Sequence, residues 1–158
     1  MKRFLFSCMF FLIISCSNPT QDELLSYVNT EIPKIAKLEA DTISSYENVT
    51  GENYKDDMTM YTTLRDEVIP NYRSFVKELE SISNNLKTPE VQKLHETYIE
   101  AANMQYSGLL IMLIAVEKQD YSLVNQANEK LDKGRKLVRQ WQIDLKVLTE
   151  KNNVKLNK

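Results

Sequence analysis

YSLVNQANEKLDKGRKLVRQWQIDLKVLTE, residues 121–150, carries small or apolar residues at Val124, Ala127, Leu131, Gly134, Val138, Trp141, Leu145 and Leu148. Steps of three and four alternate along that series, which is the period of one helix face. Asp120 stands before it as an N-cap, and no proline interrupts it. The remaining positions are mostly charged or amide residues, so the segment reads as one long helix with a single stripe to bury.

The same pattern recurs upstream. Thr88-Pro89-Glu90 combines a cap hydroxyl, proline at the first helical position and an acid in the first turn. Val91, Leu94, Tyr98, Ala102, Gln105, Leu109, Met112 and Val116 then share a face, giving a helix over about 89–118. Asp56 or Asp57 caps a helix over 57–83 with Tyr61, Leu64, Val68, Tyr72, Phe75, Leu79 and Ile82 on its seam. Thr20 with Glu23 has the form of a capping box opening a helix over 20–49, which stops near Gly51. Four helices of this length with short turns predict an all-α fold, an antiparallel up-down-up-down four-helix bundle spanning 20–150. Pro33 and Pro70 interrupt two of the patterns. Folding the first hairpin about Gly51 sets them level, so either two neighbouring helices kink together or each helix starts afresh.

The first sixteen residues follow a different logic. Lys2 and Arg3 precede an apolar run from Phe4 to Ile14, and small Ser15 precedes Cys16. That is the three-part form of a secretory signal. The run is about half of the ~20 residues that cross a bilayer core. Ile13-Ile14-Ser15-Cys16 resembles the lipobox of bacterial lipoproteins. The resemblance implies cleavage between Ser15 and Cys16, removal of 1–15 as a signal peptide, and diacylglycerol on the Cys16 sulfur. Residues 16–19 then form a lipidated cysteine and short linker, and membrane lipid is the first partner. Ser17 in place of Asp implies the outer membrane of a Gram-negative cell; in a Gram-positive cell the address is the outer face of the plasma membrane.

Composition narrows the function. The chain has 158 residues, a net charge of −2 and two cysteines, Cys8 and Cys16. Without 1–15 no thiol is left free for catalysis or metal binding, and a mildly acidic chain lacking basic runs is a poor nucleic-acid binder. His95 is the only histidine, and Gln92 stands three residues before it, so the Glu-x-x-His of di-metal bundles is missing. One place from Leu94, His95 reads as a boundary residue on a half-exposed face; haem ligation with a methionine stays open. No cofactor is expected. No nucleophile, base and stabiliser set appears, so the chain does not read as an enzyme.

Two candidate sites are left. Glu52, Asp56, Asp57 and Asp120 gather at the end away from the anchor, as a tip for a basic envelope protein partner or as acids that merely cap helices. Tyr61, Tyr98, Gln105 and Trp141 are candidate pocket residues, the alternative being core aromatics with a register-fixing amide. The C-terminal 151–158, with Lys151, Lys155 and Lys158, reads as a basic tail beside the membrane. The function expected is a non-enzymatic, membrane-anchored envelope lipoprotein that binds or scaffolds protein; the alternative is a small-ligand or haem carrier using the bundle interior. Metabolic labelling with a fatty-acid probe is expected to mark the wild-type chain and not Cys16→Ala. Persistent labelling of the mutant overturns the address.

Overall fold

The computed structural model describes residues 18–155. The signal segment, the Ser15–Cys16 junction and residues 156–158 of the tail lie outside the described residues. Within them the chain is all-helical and forms four packed rods. The first joins α1 (Pro19–Ser26) and α2 (Ile32–Glu47), and the second joins α3 (Asp57–Thr63) and α4 (Ile69–Ile82). The third and fourth are α5 (Pro89–Lys118) and α6 (Tyr121–Lys151).

Local chemistry sets the ends. Asp56 accepts from the Thr59 N–H at 2.7 Å and Asp120 from the Ser122 N–H at 2.9 Å, each satisfying an orphan donor of the first turn. The first rod starts earlier than the expected Thr20 box. Asn18 is its cap, accepting from the Thr20 and Gln21 N–H groups, with Pro19 at the first turn. Glu23 is thereby released for a distant task. Its carboxylate accepts from the Lys87 and Thr88 N–H groups at 2.6 and 2.8 Å and from the Thr88 hydroxyl. Thr88 opens α5 without a capping bond of its own side chain, so an acid of the first rod serves there.

At the C-terminal ends, Gln119 and Asn153 adopt φ of 54° and 55°. The Asp120 N–H reaches the Ala115 carbonyl, and the Val154 N–H reaches that of Thr149, which is Schellman closure. Residues after α6 are not a free tail throughout. Asn152 and Val154 are buried, and Asn152 accepts from the Asn18 amide at 3.0 Å.

Both prolines lie inside continuous rods. Each is preceded by a π-turn, Tyr27–Glu31 before Pro33 and Leu64–Val68 before Pro70. Proline lacks an N–H and its ring clashes with the carbonyl four residues back. The preceding residue's N–H therefore reaches five back, from Ile32 to the Tyr27 carbonyl and from Ile69 to that of Leu64. An extra residue per turn displaces the seam by one position. Tyr27 rather than Val28, and Met60 rather than Tyr61, are the buried residues.

α5 occupies the centre, touching each of the other rods. It is the one described helix long and apolar enough, by length and composition, to cross a membrane; its apolarity here serves three contacts at once. Ala101, Gly108 and Ala115 form a stripe of small residues facing Ala127 and Gly134 of α6. The approach is close. A Cβ on Gly134 would lie 2.4 Å from Gln105 Cγ and 3.0 Å from the Ala101 carbonyl oxygen, and one on Gly108 would lie 2.8 Å from Leu131 Cγ. Both glycines serve close approach of α5 to α6.

His95 departs from the half-exposed position expected of it. It is 1% exposed, and burial lowers its pKa and keeps the imidazole neutral. Its Nε2–H donates to the Leu79 carbonyl at 3.0 Å, while Nδ1 accepts from the Tyr27 hydroxyl at 3.1 Å. The Tyr27 oxygen in turn accepts from the Trp141 indole N–H at 3.3 Å. One chain of hydrogen bonds therefore joins all four rods. Tyr27→Phe keeps the ring and strands the indole N–H and His95 Nδ1. A loss of about 2–4 kcal/mol is expected from urea denaturation, since each unpaired buried group costs roughly 1–3 kcal/mol; a change under ~0.5 kcal/mol contradicts the relay.

Candidate functional site

Beside the relay the interior is filled, and toward the Gly51 turn the rods part. Tyr98 stacks on Trp141 with ring centroids 4.3 Å apart, filling the interior next to His95. Beyond that level the face that α6 turns toward α2 carries Asn128, Arg135, Arg139 and Gln142 among Val124, Leu131 and Val138. Across from it α2 carries Glu39 and Glu47 beside Ile43 and Tyr46. The charges on the two faces are opposite, yet among the described residues no ion pair joins α2 to α6 across the space between them. The gap is a cleft of about 930 Å³ between α2, α5 and α6. α5 supplies its apolar floor through Leu109, Met112, Ala115 and Val116, and Met60 of α3 adds to the outer end.

The inner end carries two hydrogen-bonded pairs. Tyr98 donates to Glu39 Oε2 at 2.5 Å, and Tyr72 donates to Gln105 Oε1 at 2.5 Å. Burial raises the Glu39 carboxyl above the ordinary carboxylate range, and the bond from Tyr98 offsets part of that rise. Tyr98 and Tyr72 are raised by burial first and by the Glu39 charge second. Tyr46 is raised by burial, with the positive charge of Arg135 acting the other way. At the mouth, Tyr54 and Tyr121 are exposed, and the Tyr54 hydroxyl donates to Asp57 Oδ1 at 2.7 Å.

The residues singled out from sequence fall in several places. Gln105 lines the cleft directly. Tyr98 and Trp141 lie behind its inner end, in contact with each other. Tyr61 is elsewhere, with its hydroxyl at 3.5 Å from Glu117 and Arg65 over its ring at 5.2 Å. The π-turns at the prolines contribute nothing to the lining, and Tyr27, Leu64 and Val68 fill the interior there. Of the tip acids, Asp56 and Asp120 cap helices, Asp57 accepts from Tyr54 beside the cleft, and Glu52 sits in the exposed turn. Sequence reasoning missed Glu39, Tyr46, Arg135 and Arg139. A signal existed for Arg135, which falls four residues after Leu131 and three before Val138, where a closed seam calls for an apolar residue.

Among the described residues no group of three or more His, Cys, Asp or Glu comes together as a metal set. Both nitrogens of His95 are engaged inside the core and away from the cleft. No protein-family model matches the chain, and neither a curated protein nor a solved structure matches it.

Because the folded state holds the Glu39 proton more tightly than the unfolded chain, the unfolded chain ionises first as pH rises. Stability is then lost as pH climbs through the raised value. Glu39→Gln keeps an acceptor for Tyr98 and removes the charge. It is expected to melt above wild type at pH 7–8, with the gain vanishing below about pH 4, near the ordinary glutamate pKa; a pH-independent difference between the two chains contradicts this account.

Proposed function

We propose that this protein is a non-enzymatic binding protein, anchored outside the cytoplasm through an acylated Cys16, and that it holds a small amphipathic ligand in the α2–α5–α6 cleft. The cleft is the observation that carries the reading. Small-molecule sites measure about 300–1,000 Å³ and combine apolar walls with a few convergent polar groups, and this cleft, at about 930 Å³, has both. Its polar groups include Glu39, Gln105, Arg135 and Arg139, set among the apolar side chains of Ile43, Leu109, Met112, Leu131 and Val138.

We read the rods as an up-down-up-down bundle, and the pairings support it. Tyr61 meets Glu117, Tyr72 meets Gln105 and Leu79 meets His95, so partner numbers on α5 fall as those on α3 and α4 rise. Gly108 against Leu131 and Gly134 against Gln105 give the same sense for α5 with α6. In that arrangement Asn18, bonded to Asn152, lies at the lipid end, and the two residue steps from Cys16 to Asn18 span no more than roughly 7 Å. The mouth at Tyr54 and Tyr121 then faces away from the membrane. The cleft is preferred over an acidic tip for a protein partner because three of the four tip acids are already engaged in local bonds.

Native mass spectrometry of the full chain, released from nonionic detergent after incubation with a panel of apolar and amphipathic compounds, is expected to show one-to-one adducts. Val138→Trp, which fills the cleft, is expected to lower their occupancy about tenfold. No adduct, or equal adducts on both chains, overturns the reading.

A further inference from the structure

The shape and charge of the cleft together specify a ligand class. From Gln105 of α5 to Gln119, the cap that follows it, both in its lining, the helix rise of 1.5 Å per residue gives a length of ~20 Å. A volume of about 930 Å³ spread over that length makes the cleft an elongated groove with an apolar floor, a shape that suits a single extended chain.

Charge is distributed unevenly along this groove. Its outer half has Asp57 and Glu47 near the mouth and the apolar surface of Met60, Met112, Val116 and Val124. The inner half has Arg135 and Arg139 on the α6 wall, within a stretch where Lys130, Lys133, Arg135, Lys136 and Arg139 face one acid, Asp132. Asp132 does not neutralise that wall. Its bond to Arg135 joins side chains 61% and 52% exposed, a pair of little strength in water, and the Arg139 guanidinium makes no hydrogen bond among the described residues. The facing acid, Glu39, is turned to Tyr98 by its hydrogen bond. Burial favours its uncharged form.

We propose that the cleft takes a single-chain amphiphile with an anionic head, a carboxylate or a phosphate, placing the head against Arg135 and Arg139 and the chain along Leu109, Met112 and Leu131. This rests on the cleft being a ligand site. Guanidinium groups suit both heads because their paired N–H donors match two oxygens of either. The acids at the mouth repel a head placed the other way round. The long stem of Arg135 covers apolar wall while its charge stays at the rim.

The test uses the full chain in nonionic detergent and native mass spectrometry, with dodecanoate, dodecyl phosphate, dodecanol and dodecyltrimethylammonium in competition. Preference for one or both anions over dodecanol by tenfold or more is expected. Which anion prevails identifies the head. The double substitution Arg135→Gln, Arg139→Gln is expected to abolish the preference while dodecanol binding persists, and Lys136→Gln, exposed and outside the lining, is expected to change nothing. The arginines are exposed, and an unchanged melting temperature verifies that the variant folds. Equal binding of all four compounds, preference for the cation, or an unaffected double variant overturns the anionic assignment and leaves the cleft as a site. Binding of none overturns both.

Discussion

Everything in this bundle is arranged around one buried chain of donors and acceptors. Trp141 donates to Tyr27, Tyr27 to His95, and His95 to the Leu79 carbonyl. The Leu79 carbonyl can only accept, which places a proton on Nε2, and the indole can only donate; burial keeps the imidazole neutral, so Nδ1 is left to accept from Tyr27. Each member sits on a different rod, and no member can move without leaving a polar group unpaired where water does not reach. The relay thereby sets the relative heights of four helices that apolar packing alone would allow to slide. It also lies beside the Tyr98–Trp141 stack that ends the cleft on its inner side.

The cleft follows from a division of labour on α6. One stripe, Ala127 and Gly134, is small enough to bring the helix hard against α5. The stripe beside it mixes Asn128, Arg135 and Gln142 with aliphatic residues, and that stripe faces α2. A helix drawn close to α5 on one side and without close packing on the other leaves the space that forms the cleft. Pro33 and Pro70 do not create the space, because the π-turns absorb them within well-filled rods.

Helix periodicity in the sequence was enough to place the four rods within a few residues, and Asp56, Asp120 and Pro89 marked three starts correctly, because those signals act over one turn. What escaped depends on partners far along the chain. Glu23 three residues after Thr20 looks like a local capping box, yet its acceptors serve residues 64 and 65 positions away. His95 beside Leu94 looks like a boundary residue until Tyr27 and Leu79 are brought to it. The π-turns escaped because a proline signals an interruption without saying how the backbone reroutes its bonds. Of the site, Gln105 was legible as an amide on an apolar seam. Glu39 and the arginines were not, since their significance comes from facing one another across a gap.

The Glu23 contact has a mechanical side. Asn18 is tied to Asn152 and Glu23 to the start of α5, so the first two turns of the first rod are stitched to both the end of the chain and its central helix. A force applied to the N-terminal end is shared from the outset among three rods loaded in shear, and does not unzip α1 turn by turn. The bundle therefore carries a reinforced seam at its N-terminal end.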